Sequence, residues 1–258
     1  MKILCIGDIV GRTGRDMVFD YMERLPADIG LVVANGENAA HGRGMSKPVY
    51  EELKKAGIDG FTLGNHTWGC PDIVKVLQYN DDVVRPANFG AKVPGAGSMV
   101  LRAKNGVSVG IINIIGRTYM QPADCPFEAV DAAIERLQKQ ADILLVDFHA
   151  EATSEKIAMG YYLDGRVSAV FGTHTHVQTA DETVLPRGTG YISDLGMTGP
   201  VHSVLGMEKT RVIDRFVTGM PQKFEVASGA GQFCGCIFEI DEQSGKTRNV
   251  ERIFIRQQ

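Results

Sequence analysis

The sequence predicts an α/β fold, a layered sandwich of two mixed β-sheets flanked by helices. Three observations carry that prediction. Over the first two-thirds of the chain, short β-branched and apolar runs alternate with longer stretches of helical periodicity. In the middle, two apolar runs surround "KNG", a hairpin signal in which glycine readily supplies positive φ. The C-terminal end then returns to strands. No repeat, low-complexity tract or linker divides the sequence, so residues 1–258 are expected to form one domain.

The elements follow in order. "KILCIG" reads as the first strand and is followed by a helix from about Gly14 to Leu25. "IGLVVANG" is a second strand. Ser46 has the character of an N-cap for a helix running to about Lys55, with Gly57 as its stop signal. "GFTLGN" is a third strand, and "PDIVKVLQ" opens a helix with proline early, where its missing N–H costs least. "SMVLRAKNGVSVGIINII" is the hairpin. "PFEAVDAAIERLQKQ" is an amphipathic helix leading into the strand "ADILLVDFHA". A helix from about Ser154 to Tyr162 precedes the strand "SAVFGT", and "GYISD", "GCIFEID" and "VERIFIR" complete the strands. Between them, about residues 198–225 read as an excursion with a short helix, a rim or cap over the site or a contact in a homo-oligomer.

Composition narrows the class. A chain of 258 residues buries about 70–75% of its unfolded surface, so its core needs no disulfide staples. The net charge of −4 argues against non-specific nucleic-acid binding, which relies on basic side chains neutralising phosphates. Five scattered cysteines without a CxxC spacing read as reduced thiols of a cytoplasmic protein. The N-terminal apolar run, broken by Gly7 and Asp8, is too short for a signal peptide, and no run approaches the ~20 residues of a membrane span.

The chemistry collects at strand ends. Asp8 follows the first strand, Glu37 and Asn38 the second, Asn65 and His66 the third, and His149 the strand "ILLVDF". His174 and His176 follow "SAVFGT", so four of the six histidines stand at such ends. In open α/β sheets the carboxyl ends of strands line the crevice where sites are built. Each residue alone has a plainer reading as a turn residue, helix cap or core histidine. Two histidines one residue apart in an extended segment face the same way, however, and together the set points to metal. Asp8, Glu37, Asn38, Asn65, His149, His174 and His176 are too many ligands for one tetrahedral zinc and suit two metals sharing a carboxylate, with Glu37 the natural bridge. Carboxylate, amide and imidazole together favour Fe, Mn or Zn over Ca or Mg. Two such ions ~3.5–4 Å apart are a standard arrangement for phosphoryl transfer. His66 is not needed as a ligand and is the candidate general acid, against the alternative that it only orients a neighbour.

"GDIVG", "NGENAAHGRG", "GNHTW", "RPAN", "FHAE" and "GTHTHVQTAD" together resemble the calcineurin-like metallophosphoesterase superfamily and, within it, the bacterial YmdB-type subfamily. The similarity runs over almost the whole chain, in order and spacing. It departs from the superfamily at Val10, where a histidine ligand is usual, and at Glu37, which replaces a bridging aspartate; the subfamily accounts for both, with Asn38 filling the vacancy. The resemblance implies a calcineurin-like metallophosphoesterase fold, hydrolysis of 2′,3′-cyclic nucleotides, and a centre associated with iron, where Mn or Zn could sit on the same ligands. It implies that one ion takes Asp8, Glu37, Asn38 and His176, the other Glu37, Asn65, His149 and His174, and that His66 donates the proton. A metal-bound hydroxide would attack phosphorus in line while His66 protonates the departing ribose oxygen.

Three further residues are candidates for substrate contact. Arg12 and Arg43 flank ligand loops and could pair with phosphate, or be solvated surface arginines. Trp68, the only tryptophan, could stack on a base or simply pack. Two other functions stay open on the sequence: a phosphomonoesterase or other phosphodiesterase using the same centre, and a low-turnover regulatory protein that binds a nucleotide.

Overall fold

A computed structural model of the chain describes residues 1–257. In chain order its first part contains β1 (Lys2–Ile6), β2 (Asp8–Ile9), α1 (Gly11–Met22), β3 (Ile29–Asn35), α2 (Lys47–Lys55), β4 (Gly60–Thr62), α3 (Ile73–Tyr79) and β5 (Val83–Val84). The middle contains β6 (Ser98–Arg102), β7 (Ser108–Ile115), α4 (Pro126–Leu137), β8 (Ile143–His149), α5 (Thr153–Leu163) and β9 (Ala169–Thr173). The last part contains β10 (Thr183–Val184), β11 (Gly190–Ile192), β12 (Met197–Pro200), α6 (Lys209–Thr218), β13 (Gly231–Ile240) and β14 (Thr247–Arg256).

These strands form the two mixed sheets that the sequence predicts. One runs β2-β12-β13-β1-β3-β4-β5, with β14 also paired to β13, and the other runs β10-β11-β9-β8-β7-β6. In the first, β1, β3, β4 and β5 are parallel and β13 runs against β1 and β14. In the second, β7, β8, β9 and β11 are parallel, and β6 and β10 are antiparallel edges.

Strand alternation sorts the apolar side chains into three layers. Ile3 and Cys5 of β1, Leu31 and Val33 of β3, Ile143 and Leu145 of β8 and Phe171 of β9 fill the space between the sheets. Leu4, Ile6, Val32 and Ala34 point the other way, onto Met17 and Val18 of α1 and Leu53 of α2. On the far side, Leu144, Val146 and Phe148 meet Val130 and Ile134 of α4 and Met159 of α5. The order is therefore helix, sheet, sheet, helix.

The differences from the sequence reading have local causes. α1 begins and ends three residues earlier than predicted, because Pro26 disfavours helical backbone at Leu25. Ser46 is the N-cap residue of α2, but its side chain makes no capping bond there. β2, β5, β10 and β12 hold two to four residues each, too few to show a period. The segment expected as a rim opens with β12, which is buried and pairs with β2 and β13. Beyond it α6 leaves Ile213, Phe216 and Val217 exposed. All five cysteines are free thiols. Among the described residues, no helix is long and apolar enough to cross a membrane.

Phe171 is 1% exposed between the sheets, its ring 6.1 Å from that of Phe238. Phe171→Ala is expected to cost about 3–5 kcal/mol, read as a lower midpoint with an unchanged slope in urea unfolding.

Candidate metal centre

The parallel strands of both sheets deliver their carboxyl ends to one place. There the inter-sheet layer changes from apolar to polar. Asn35, Thr62, Asn113, Asp147 and Thr173 are all buried, and Asn35 and Asp147 follow the inward-facing alternation of β3 and β8. Asp147 is the hub of this layer. It accepts the hydroxyls of Thr62 and, at 2.7 Å, Thr173, and the Asn35 amide at 3.3 Å. Residues of both sheets are thus tied to one carboxylate. Burial pushes Asp147 up to about 6, against the opposing pull of His149 and the two hydroxyl donors.

Directly above this layer four atoms crowd together. His149 Nε2 lies 2.8 Å from Asn65 Oδ1, 3.0 Å from Glu37 Oε1 and 3.1 Å from His174 Nδ1. A single proton cannot satisfy three acceptors well, so the cluster calls for positive charge at its middle. The imidazole of His149 meets part of that demand: burial pushes it down, yet the charge and hydrogen bond of Glu37, with Asp8 and Asp147, hold it up at about 9. Burial likewise pushes Glu37 up, and the charges and hydrogen bonds of His149 and His66 outweigh it and hold the carboxyl at about 2. His174 is pushed down to about 3 by burial and by the His149 charge, and is neutral. Its Nε2–H donates to Glu151 at 3.1 Å, which leaves the Nδ1 lone pair facing the cluster.

A second set adjoins the first. Asp8 Oδ1 and Asn38 Oδ1 are buried and have no hydrogen-bond partner in the protein. The other atoms of both groups are engaged: Asp8 Oδ2 accepts the His174 N–H at 3.1 Å, and Asn38 Nδ2 donates to the Gly42 carbonyl at 3.0 Å. His176 Nε2 lies 3.8 Å from Asp8 Oδ1, while its Nδ1–H donates to the Leu205 carbonyl at 3.0 Å. Asp8 Oδ1, with an imidazole lone pair 3.8 Å away, suits a cation, and the orphaned Asn38 oxygen also calls for one, since buried unpaired acceptors are otherwise costly. Burial pushes the Asp8 carboxyl up, and His176 and His149 oppose the rise.

The loop carrying the two histidines is strained. His174 and His176 have φ of +100° and +63°, a region that residues with a Cβ rarely occupy. Between them Thr175 gives both its N–H, at 3.1 Å, and its hydroxyl, at 2.8 Å, to Asp194 Oδ2. Asp194 also accepts the Gly196 N–H at 2.8 Å and pairs with Lys156 of α5 at 2.5 Å, both side chains being 2% exposed. Lys156 in turn donates to the Thr173 carbonyl at 2.8 Å. A buried ion pair therefore grips both ends of the turn. Neither member stood out in the sequence; the one signal was a lysine among the buried positions of α5.

The remaining candidates divide. His66 adjoins the first set: its N–H donates to Glu37 Oε2 at 2.7 Å, and its Nε2 lies 3.4 Å from Asn65 Nδ2. Arg43 is exposed, and its charge helps depress the His66 pKa. Trp68 is 40% exposed in the 3-10 turn Thr67–Gly69, its ring 6.3 Å from that of Phe89. Arg12 is 86% exposed and faces Asp16 one turn along α1, apart from the ligand set. Val10 is fully buried, close to the backbones of Gly199 and Gly206.

Known proteins share this arrangement of chain. The family model described as "YmdB-like protein" matches residues 4–253. A 2′,3′-cyclic-nucleotide 2′-phosphodiesterase of Bacillus subtilis is 47% identical over 99% of this chain and 97% of its own length. The crystal structure of a hypothetical protein from Thermus thermophilus superposes with a TM-score of 0.94 at 41% identity, covering 100% of both chains. That of a novel phosphatase of Mycoplasma pneumoniae gives 0.93 at 37% identity, over 99% of this chain and 93% of that one.

Two substitutions probe the geometry. A methyl group at Gly64 would fall on the His149 imidazole, so Gly64→Ala is expected to fold, by circular dichroism, yet retain less metal than the wild type in elemental analysis after loading and dialysis. Wild-type metal content in that variant would mean His149 does not serve the centre. Lys156→Met leaves Asp194 buried and unpaired, and is expected to cost about 3–5 kcal/mol in urea unfolding.

Proposed function

The chain belongs to the YmdB-like family, and from that premise we propose that it is a phosphodiesterase opening 2′,3′-cyclic nucleotides at a centre of two divalent ions. Two observations carry the reading: the crowding of Glu37, Asn65 and His174 around His149 Nε2, and the orphaned buried oxygens of Asp8 and Asn38. Asp8, Glu37, Asn38 and His176 would hold one ion; Glu37, Asn65, His149 and His174 would hold the other. Imidazole, amide and carboxylate together suit iron, manganese or zinc, and iron is the expectation from the resemblance. Ions bound there would neutralise charge on the phosphoryl oxygens and acidify a water molecule.

The chain's own groups supply the rest. Asn65 turns Oδ1 towards His149 and Nδ2 towards His66, so the Asn65 amide donates and His66 Nε2 accepts. The proton of a neutral His66 then sits on Nδ1, which is buried and has no acceptor in the protein. Donation to the departing ribose oxygen would use the protonated, imidazolium form of His66, which returns to the neutral ring as the oxygen takes the proton. Burial keeps the His66 imidazole below its ordinary pKa, partly opposed by Glu37, so its protonated form gives up a proton readily. Arg43, whose charge reaches His66, would meet a phosphate oxygen, and half-exposed Trp68 would lie against a base. The Bacillus subtilis relative is named for the 2′ bond; cleavage there would leave a nucleoside 3′-monophosphate and make the 2′ oxygen the group that His66 protonates.

Steady-state rates on 2′,3′-cAMP, 3′,5′-cAMP and p-nitrophenyl phosphate after Mn or Fe loading test the substrate. A clear preference for the 2′,3′-cyclic diester is expected. A preference for p-nitrophenyl phosphate would favour a phosphomonoesterase, in keeping with the phosphatase named in Mycoplasma pneumoniae. His66→Gln is expected to lower kcat by roughly 10²–10⁴-fold with its metal content intact; an unchanged rate would remove His66 from the proton transfer.

A further inference from the structure

We infer that Asp147 and Thr173 are positioning residues that fix the tautomer of His149 and so set the metal affinity of the centre. Neither is a ligand in the reading above, on which this inference rests. Thr173 stands between the two groups: its hydroxyl donates to Asp147 Oδ1 at 2.7 Å and touches His149 Nδ1 at 2.8 Å. A hydroxyl has one proton. Once that proton goes to the carboxylate, the oxygen can only accept at its second contact, so His149 Nδ1 must be the donor. In the neutral ring, the form a metal ion would take, Nε2 is then left as the lone-pair nitrogen, and it is Nε2 that faces Glu37, Asn65 and His174.

While Asp147 is ionised, the direction of this line is not free to reverse. An ionised carboxylate only accepts, and the other oxygen of Asp147 is already occupied by the Thr62 hydroxyl and the Asn35 amide. Asp147, Thr173 and His149 are each fully buried, so no solvent competes for the contacts. A carboxylate acting directly on the far nitrogen of a metal-bound histidine is a common support; here a threonine hydroxyl extends it by one step. The same carboxylate also reaches a second ligand. Asn35 Oδ1 accepts the Glu37 N–H at 3.1 Å, so the residue that donates to Asp147 also holds the backbone of the bridging carboxylate.

The test uses zinc alone as the probe, with Thr173→Val, Thr173→Ser and Asp147→Asn. Zinc affinity is read by calorimetry, and the His149 ring by ¹H–¹⁵N spectra of the zinc-loaded, histidine-labelled protein. Wild type and Thr173→Ser should show an exchange-protected Nδ1–H on His149 and bind two zinc ions alike. Thr173→Val, nearly isosteric but without the hydroxyl, should lose that protection and bind the weaker zinc roughly 10–100-fold less tightly. In Asp147→Asn the amide can donate to Thr173 and turn its hydroxyl towards Nδ1, so the same loss is expected from a different chemical change. Thr173→Val with wild-type zinc affinity, whether or not its melting temperature falls, would overturn the inference. A wild-type protein that fails to take two zinc ions would instead overturn the two-ion reading.

Discussion

Everything at this site depends on holding two separate sheets at one fixed separation. Glu37 and Asn65 come from the first sheet, His149 and His174 from the second, and their donor atoms must meet within about a hydrogen-bond length. Apolar packing alone brings sheets to about 10 Å but is non-directional, so it does not set a relative position to a few tenths of an ångström. The polar layer of Asn35, Thr62, Asp147 and Thr173 supplies that direction. Removing a carboxylate from water is costly, and this one has donors on both oxygens, so its burial is compensated by contacts that only one alignment of the sheets allows.

A second constraint acts along the chain. The two histidines after β9 are held with positive φ, a conformation that the backbone would abandon if left to itself. Asp194 and Lys156 hold it, Asp194 accepting the Thr175 N–H and hydroxyl while paired with Lys156. The turn sends His174 to the cluster around His149 and His176 to the side of Asp8. In an extended strand, residues i and i+2 would face the same way and crowd one ion. Strain is what lets neighbouring histidines serve different positions.

Much of this could be read from the residues themselves. The strand ends holding Asp8, Glu37, Asn65, His149, His174 and His176 are legible because each stands at the end of a short β-branched, apolar run that reads as a strand. The supporting residues were less visible. Asp147 sits two places before His149 and therefore on the same face, and the parity of β8 would have pointed to it. Lys156 and Asp194 meet across 38 residues, and no local pattern links them. Arg12, a candidate because it flanks a ligand loop, faces Asp16 instead, because α1 begins at Gly11 and carries the guanidinium into solvent.

The sequence by itself determined the layering, the identity of the strands and which residue types arrive at their ends, because alternation and helical periodicity are properties of neighbours in the chain. Only the tertiary structure decided which atoms of those residues face inward. The tautomers of His149, His174 and His176 are set by Thr173, Glu151 and the Leu205 carbonyl, and the free oxygens of Asp8 and Asn38 by contacts with the His174 N–H and the Gly42 carbonyl. Apart from the Glu151 and Gly42 contacts, these bridge 24 or more residues, and their directions depend on where each proton goes. A one-dimensional pattern carries the list of candidate ligands; the hydrogen-bond network that aims them exists only once both sheets have closed on each other.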